Sequence, residues 1–381
     1  NCYTINEFKQ GDIMIKLSQA SLGSEENKCI EEVLSQKYLG MGFFTKQFEE
    51  KLKGYIGENV EVSCVNTGTS ALHLAAQAIN IESGDEVIIP TVTYVASFQA
   101  ISATGAKPIP CDICIDSGLL DIKDAEKKIT TRTKALMHVH YAGNVGNIEE
   151  VHAFVKKYNL RLIEDAAHSF GGNYENKKIG SFGDITCFSF DSIKNITCGE
   201  GGAVVSSDIK VIEKVKDYRL LGVKNDTEKR FSQQRSWDFD VSEQGWRYHM
   251  SNINAAIGIA QLEKIEVLKA KRRLIAEKYF NQLRDCPNIS LISMDLNNIM
   301  PHIFPLRINA SKRNGLKKFL FERGIETGLH YKPNHLLTKY KSSPLPSADK
   351  FWEETLTLPF HANLSIKDID FICENILSYL N

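Results

Sequence analysis

The chain has 381 residues, 43% of them hydrophobic, and a formal net charge of −1, which is enough for a large core and more than one small module. No long run of one charge sign occurs, so nothing favours nucleic acid as a partner, and an acidic ligand would be met by local groups. No stretch approaches the ~18–20 uninterrupted apolar residues of a membrane span. We expect a cytoplasmic protein with no membrane partner.

The first thirteen residues are polar and without pattern, so we expect 1–13 to be an extension upstream of a start at Met14. The nine cysteines are scattered, which is typical of reduced thiols in the cytoplasm. One Cys-x-x-Cys pair, Cys111 and Cys114, has no second pair and no histidine pair at ligand spacing nearby. We therefore expect structural thiols there and no metal site.

From about Val60 onward, short β-rich runs alternate with helical stretches. The strand-like runs include VEVSCVN, DEVIIP, KPIPCDI, KALMHVHY and LRLIEDA, and they are followed by DITCFSF and GGAVVSS. Such alternation predicts an α/β fold with a large, mostly parallel sheet covered on both faces. Ligands of such sheets collect at the carboxyl ends of the strands.

The pattern changes near Asn252, where one long amphipathic helical run extends to Leu283. This run is expected to lead into a smaller C-terminal α+β domain. That domain would contain the strand HIFPLRI, the helix KRNGLKKFLFERG and the final helix SIKDIDFICENILSYL. We place the large domain at 14–255 and the smaller one at 256–381.

Two charged residues follow apolar strands and are candidates for cofactor chemistry. Lys194 comes a few residues after ITCFSF, which places its amine at the carboxyl edge of the sheet. Asp165 closes the apolar strand LRLIED, where an unpaired carboxylate is costly, and a protonated pyridine nitrogen would be a suitable partner. Taken alone, Asp165 does not exclude a helix N-cap at the end of the strand.

A phosphate site and a stacking ring complete the pattern. Gly68, Thr69 and Ser70 lie where a strand ends and an Ala/Leu-rich helix begins, so free N–H groups and the helix dipole would meet an anion there. Ser189 can add a hydroxyl to the same phosphate. Tyr94 follows the next strand, although a lone aromatic residue is more often part of the core. The four features together indicate a site for a cofactor that has a pyridine ring and a phosphate and that binds to the lysine.

These stretches resemble the DegT/DnrJ/StrS family of nucleotide-sugar aminotransferases, which use pyridoxal phosphate on an aspartate-aminotransferase-like fold. The similarity begins near Ile15 and covers nearly the whole chain. Its motifs are GTSALHLA, GDEVIIPTVTYVAS, IEDAAHSFGG, SFDSIKNITCGEGGAVV, NINAAIGIAQLEKIE, ERGIETGLHYKPNH and LTLPFHANLS.

The resemblance implies a role for each matching residue. Lys194 matches the lysine that binds the cofactor covalently, and Asp165 the partner of the pyridine nitrogen. His168 stands where many members carry glutamine beside the ring's phenolic oxygen. Tyr94 matches the stacking aromatic residue. The phosphate site is matched by Gly68, Thr69, Ser70 and Ser189.

The resemblance also implies a homodimer with shared active sites. Arg247, in GWRYHM, stands where a neighbouring subunit of related enzymes supplies an asparagine. It would meet either the cofactor phosphate or the diphosphate of a sugar nucleotide. The loop GLHYKPNH offers four residues to the sugar nucleotide, although an ordinary polar loop would look the same: His330, Tyr331, Lys332 and His335.

The implied reaction moves an amino group from L-glutamate to a nucleotide-linked 4-keto-6-deoxy sugar, with pyridoxamine phosphate as the intermediate form of the cofactor. A dTDP- or UDP-linked sugar is favoured over a GDP-linked one. Some relatives replace the lysine with histidine and act as dehydratases, so Lys194 favours transamination. A non-catalytic sensor or scaffold would need neither Lys194 nor Asp165. An amino acid transaminase is disfavoured because no arginine is clearly placed for an α-carboxylate, although Arg219, Arg235 and Arg247 stay open.

Overall fold

The computed structural model describes residues 14–380, so the predicted extension at 1–13 lies outside the described residues. Nine strands precede the C-terminal part, and all but the short pair β6 and β7 join one central sheet. The strands are β1 (Glu61–Val65), β2 (Glu86–Pro90), β3 (Lys107–Cys111), β4 (Thr133–Val139), β5 (Arg161–Asp165), β6 (Asn173–Tyr174), β7 (Lys177–Lys178), β8 (Ile185–Ser189) and β9 (Gly202–Ser206).

The central sheet has the order β1-β9-β8-β5-β4-β2-β3. Strand β9 runs antiparallel to both of its neighbours, β1 and β8, and the other neighbouring pairs of the sheet are parallel. The predicted α/β fold with a large, mostly parallel sheet is therefore confirmed. Six of its strands have their carboxyl ends at one edge, and the segments that follow β1, β2, β5 and β8 meet there.

Nine helices surround this sheet in the described chain. They are α1 (Ser24–Ser35), α2 (Phe43–Ile56), α3 (Gly68–Ala78), α4 (Val95–Ala103), α5 (Ile122–Lys127), α6 (Ile148–Lys157), α7 (Ile209–Tyr218), α8 (Asp226–Phe231) and α9 (Asn252–Glu263). Side chains of β8 alternate between the two faces, because Ile185 and Cys187 belong to one apolar cluster and Phe188 to another. The sheet is thus buried on both faces.

The predicted single helical run from Asn252 to Leu283 is wrong in one respect. The structure has two helices, α9 and α10 (Ile265–Leu283), with a break at Lys264, whose φ of −106° and ψ of 14° are not helical. Helix α9 packs on α1 and α2, whereas α10 packs on the C-terminal helix. The apolar pattern runs through the break because both helices bury a face, each against a different part of the fold.

The C-terminal part is built on a three-stranded antiparallel sheet in the order β10-β11-β12. Its elements are β10 (Ile289–Leu291), β11 (Phe304–Ile308), α11 (Ala310–Phe321), α12 (Pro346–Glu354), β12 (Thr355–Leu358) and α13 (Ile366–Leu380). Ile15 forms a parallel bridge with Ile325, so the first described residues also lie on this part. The division at residues 255 and 256 stays a prediction.

Candidate active site

A cavity of about 420 Å³ opens at the carboxyl edge of the central sheet. Loops after β1, β2, β5 and β8 form its walls. His330 and Tyr331, which precede the short 3-10 helix Asn334–Leu336 in the C-terminal part, complete the lining. The cavity brings together nine residues predicted from the sequence: Gly68, Thr69, Tyr94, Asp165, His168, Ser189, Lys194, His330 and Tyr331.

Lys194 lies in the loop after β8 and lines the cavity. Its Nζ forms no salt bridge of 4 Å or less with any residue of the described chain. Burial lowers the pKa of the Lys194 amine to about 8; the carboxylates of Asp165 and Asp191 oppose this shift, and the charge of Arg272 adds to it. An amine with this pKa is partly neutral near physiological pH, which suits a nucleophile or a proton carrier.

Asp165 ends β5 with its carboxylate at the cavity wall, 6% exposed. Its Oδ2 accepts a hydrogen bond of 2.7 Å from the Ser97 hydroxyl, and its Oδ1 accepts one of 3.3 Å from the Ala167 N–H. Within residues 14–380, no basic side chain lies within 4 Å of this carboxylate. A buried carboxylate that is held in place but has no salt-bridge partner suits a cationic ring nitrogen.

The start of α3 provides an anion site. Thr67 is the N-cap, and its hydroxyl oxygen accepts a hydrogen bond from the Ser70 N–H at 3.0 Å. The N–H groups of Gly68 and Thr69 remain available at the positive end of the helix. A side chain at Gly68 would fill the space, because a Cβ there would lie 2.7 Å from the Cβ of Ser189. The phosphate of pyridoxal phosphate fits this cradle.

Two tyrosine rings in the cavity wall lie in tilted contact with each other. Tyr94 is 60% exposed, and its ring centroid lies 5.8 Å from that of Tyr331. The Tyr331 hydroxyl and Nε2 of His168 are 3.0 Å apart. Tyr94 is exposed for a large aromatic residue, and the uncovered part of its side chain is surface that a planar ligand could cover.

Three neutral histidines lie near Lys194. Burial lowers the pKa of His330 to about 4. Burial also holds the pKa values of His168 and His302 well below the usual range. The positive charge of Lys194 shifts all three in the same direction. Each ring therefore presents one donor and one acceptor nitrogen.

The structure does not place four of the predicted residues in the cavity wall. The Ser70 hydroxyl donates to Asn66 at 2.7 Å inside the helix cap. The buried His335 ring contacts Thr91 Oγ1 at 2.9 Å and Asp349 Oδ1 at 3.0 Å, which uses both of its nitrogens. Lys332 and Arg247 are exposed side chains outside the cavity of this chain.

Two of the arginines that could have bound an α-carboxylate, Arg219 and Arg235, do not line the cavity. Arg219 is fully buried, forms an ion pair with Glu49 and donates to the Cys64 carbonyl oxygen at 2.7 Å. It is therefore committed to the core. Arg235 is exposed and does not line the cavity.

Sequence reasoning missed two residues of the cavity wall, Thr67 and Ser97, and also His302, which packs against His168. Thr67 was detectable from its cap position before the glycine. Ser97 was detectable because it lies three residues after Tyr94 and therefore on the same side of α4. His302 had no local signal: its ring centroid is 4.4 Å from that of His168, but the two residues are 134 positions apart in the chain.

Cys111 is buried, and its Sγ lies 3.3 Å from Asp124 Oδ2. Burial raises the pKa of the Cys111 thiol far above its usual range, and burial also raises that of Cys114. Among residues 14–380, no group of three or more His, Cys, Asp or Glu side chains could hold a metal ion. The same part of the chain contains no helix of the length and apolarity that a membrane crossing requires.

Comparison with known proteins identifies the class. Residues 20–377 match the model of the DegT/DnrJ/EryC1/StrS aminotransferase family. The chain is 35% identical over 366 residues to a GDP-perosamine synthase of Escherichia coli O157:H7, covering 95% of this chain and 97% of that protein. The chain belongs to the DegT/DnrJ/EryC1/StrS aminotransferase family, which confirms the predicted resemblance.

Solved structures agree with this assignment. Helicobacter pylori PseC, an aminotransferase of pseudoaminic acid biosynthesis, matches with a TM-score of 0.88 and 30% identity over 96% of this chain and 99% of that one. The sugar aminotransferase Spr1654 of Streptococcus pneumoniae, described as putative in its own structures, matches in its PLP form with a TM-score of 0.89 and 27% identity over 96% and 98%. Its PMP form matches equally well. The protein is a pyridoxal phosphate-dependent sugar aminotransferase.

Proposed function

We propose that this enzyme transfers the amino group of L-glutamate to a nucleotide-linked 4-keto-6-deoxy sugar. The observation that carries the proposal is the Lys194 amine, which lines the cavity with a pKa lowered to about 8 and no ion-pair partner among the described residues. The Asp165 carboxylate, with no basic side chain of the described residues within 4 Å, lines the same cavity. Together they provide the base and the ring-nitrogen partner that amino transfer requires.

The cofactor would be held by residues from four segments. The N–H groups of Gly68 and Thr69 and the hydroxyl of Ser189 bind the phosphate, and the Ser70 hydroxyl supports them by completing the helix cap. Asp165 binds the ring nitrogen. The remaining contacts come from Tyr94 on the face of the ring and His168 at the edge that carries the phenolic oxygen. The bound group supplies an electron sink for the carbon that loses a proton.

Lys194 would act twice in each reaction cycle. Its amine would hold the cofactor, and once an amino donor had displaced it, the freed amine would take the proton from the α-carbon of the donor and return it to the cofactor carbon that the lysine had held. The burial that lowers its pKa to about 8 keeps a usable neutral fraction at pH 7.5. The nearby histidines stay neutral, so Lys194 is the group in this cluster that changes charge near that pH.

The sugar nucleotide would enter beside the loop 330–335. The side chains of His330 and Tyr331 line the cavity, which supports a contact with the sugar. We assign the exposed Lys332 to the more distant diphosphate. His335 would contribute indirectly, because its ring ties the loop to Thr91 and Asp349.

We also propose a homodimer in which Arg247 completes the site of the neighbouring subunit. Arg247 is exposed, and it forms an isolated antiparallel bridge with Leu220 that fixes its backbone. It lies outside the cavity of its own chain, as a residue that serves the other subunit would. Its guanidinium would bind the cofactor phosphate or the diphosphate of the sugar nucleotide.

An isotope experiment tests the proposal by following the amino nitrogen of glutamate into the sugar product. Purified protein loaded with pyridoxal phosphate is incubated with ¹⁵N-glutamate and a dTDP-, UDP- or GDP-linked 4-keto-6-deoxyhexose, with Lys194→Ala as the control. The GDP-linked sugar is included on equal terms because one relative is a GDP-perosamine synthase. We expect ¹⁵N in one sugar product with the wild-type protein and none with the control.

A sugar product that has lost oxygen but carries no ¹⁵N would instead support the dehydratase alternative. Lys194 argues against the dehydratase alternative, because dehydratase relatives carry histidine in place of the lysine. The scaffold alternative is disfavoured by family membership and by the presence of both Lys194 and Asp165 in one cavity.

A further inference from the structure

Asn195, the residue directly after Lys194, is buried, and its side-chain amide joins three segments of the fold. Its Nδ2 donates to the carbonyl oxygens of Phe170 and Met300, each at 2.9 Å. Its Oδ1 lies 3.2 Å from Nδ1 of His302. An amide oxygen can only accept, so His302 donates this bond. The amide of Asn195 therefore has partners both for its nitrogen and for its oxygen.

The segment 300–302, which precedes β11, is itself held in place. The buried Arg272 of α10 donates from Nη1 to the His302 carbonyl oxygen at 3.2 Å. The His302 N–H donates to the Ala142 carbonyl oxygen at 3.2 Å. Asn195 is thus bonded to a segment that two other elements of the fold already fix.

The loop that carries Lys194 connects β8 to β9 and contains neither a helix nor a strand, so its shape depends on contacts of this kind. The Lys194 N–H donates to the Asp191 carbonyl oxygen at 3.1 Å, which closes a turn within the loop. The bonds of the Asn195 amide, in contrast, connect the loop to other parts of the protein. Because the two residues share a planar peptide unit, a shift of the Asn195 backbone also moves Lys194.

We propose that Asn195 is a positioning residue for Lys194: by tying the lysine loop to Phe170 and to the segment 300–302, it holds the lysine amine at the cavity wall. This inference rests on the proposed role of Lys194 as the amine that binds the cofactor and carries the proton. Asn195 is not part of the cavity wall, so it acts on the reaction through the lysine.

Two properties of the Lys194 amine depend on its position. Burial lowers its pKa to about 8, so an amine that moves toward water regains a higher pKa. Its distance from a bound reactant sets the rate of bond formation, and a displacement of ~1 Å can cost about a hundredfold in rate. Loss of the Asn195 amide takes a donor from two carbonyl oxygens, which favours a shift of the loop toward water.

The test measures by absorbance how fast Lys194 binds pyridoxal phosphate, in excess, across a range of pH. Lys194→Ala gives the signal of other lysines, which is subtracted. The pH profile yields the pKa of the amine. The limiting rate at a pH above that pKa, where the amine is neutral, reports its position. For Asn195→Ala we expect a pKa higher by about one unit, a tenfold change, and a limiting rate lower by about tenfold or more.

Asn252→Ala is the matched control. Asn252 is also buried, and its side chain donates to the Tyr38 carbonyl oxygen at 3.1 Å and accepts from the Thr45 N–H at 3.2 Å. These partners lie around α2 rather than in the lysine loop. Both variants lose an amide that joins buried segments, so a general loss of stability would affect both. We expect the control to keep the wild-type pKa and limiting rate.

A wild-type limiting rate in Asn195→Ala, or an equal fall in both variants, would overturn the proposal. Should the alanine variant fail to fold, Asn195→Ser replaces it, because its hydroxyl keeps one donor for the carbonyl oxygens. The serine variant is expected to show the same two changes at a smaller size, and a wild-type limiting rate in it would equally overturn the proposal.

The measurement needs no sugar and no glutamate. Failure of every sugar tested would count against the proposed function and leave this result standing. An unchanged limiting rate would count against the positioning role of Asn195 and leave amino transfer standing.

Discussion

Ser97 donates a hydrogen bond of 2.7 Å from its hydroxyl to Oδ2 of Asp165. The serine lies in the first turn of α4, which follows β2. The aspartate ends β5, which is separated from β2 in the sheet by β4. Thr93 Oγ1 lies 2.9 Å from the same serine oxygen. A short chain of hydroxyls therefore holds the carboxylate toward the cavity.

This relationship predicts a loss of cofactor affinity in Ser97→Ala. A hydrogen bond to a charged group contributes about 1.5–3 kcal/mol, and part of that is recovered by water, so we expect pyridoxal phosphate to bind about 5- to 10-fold more weakly. Equilibrium dialysis measures the change. Ser102→Ala, on the same helix but bonded to the Phe98 carbonyl oxygen, is the control. Equal affinities for the two variants would show that Asp165 needs no such support.

Gly68→Ala tests the phosphate cradle. The added Cβ would lie 2.7 Å from the Cβ of Ser189, so either the helix start or the strand end must move. We expect cofactor affinity to fall more than tenfold while the fold is retained. Gly54→Ala, an exposed position in α2 with open space around the new Cβ, should leave affinity unchanged. Wild-type affinity in Gly68→Ala would place the phosphate elsewhere.

Because the buried histidines are neutral in the folded state, we expect the folded protein to lose stability in acid. Burial lowers the pKa of His302 in the folded state, so between its unfolded value of ~6.5 and its lowered folded value the unfolded chain binds the extra proton. The free energy of unfolding should therefore fall as the pH decreases below 6.5, by about 1.4 kcal/mol per pH unit for each such histidine.

Urea unfolding at pH 7.5 and pH 5.5 measures this difference. His302→Gln, which removes one titrating ring and keeps a donor for the Asn195 side chain, should have a smaller difference than the wild type. The same difference in both proteins would mean that His302 does not contribute to the pH dependence of the free energy of unfolding.

Arg219 provides a test of stability apart from the cofactor. Its guanidinium is buried and paired with Glu49, so Arg219→Leu leaves a buried carboxylate without its partner. We expect a loss of about 3–5 kcal/mol in the free energy of unfolding. The exposed Arg235→Leu should change it by less than about 0.5 kcal/mol. A small effect for Arg219→Leu would reopen a role for this arginine in binding.

The sequence alone predicted the features that depend on the order of neighbouring strands and helices along the chain. Strand-helix alternation predicted the sheet, and the sheet placed Asp165 and Lys194 at one edge because each follows an apolar strand. The antiparallel β9 was not predictable, since a short apolar strand has the same pattern in either direction. Residues brought in from the C-terminal part, such as His302, had no signal near the other site residues.

The loop 330–335 shows why a motif does not fix side-chain roles. Tyr331 lines the cavity, whereas His335, four residues later, lies within the 3-10 helix Asn334–Leu336 and has its ring between Thr91 and Asp349. The two side chains diverge because the backbone turns between them. Sequence spacing alone cannot show such a turn.

The central claim is that Lys194 carries the first half of amino transfer, and absorbance spectroscopy tests it most directly. The protein is loaded with pyridoxal phosphate and glutamate is added, with Lys194→Ala treated in parallel. We expect a cofactor band that depends on Lys194 and that glutamate converts to that of pyridoxamine phosphate. A band that glutamate leaves unchanged, or an equally fast conversion in Lys194→Ala, would contradict the account.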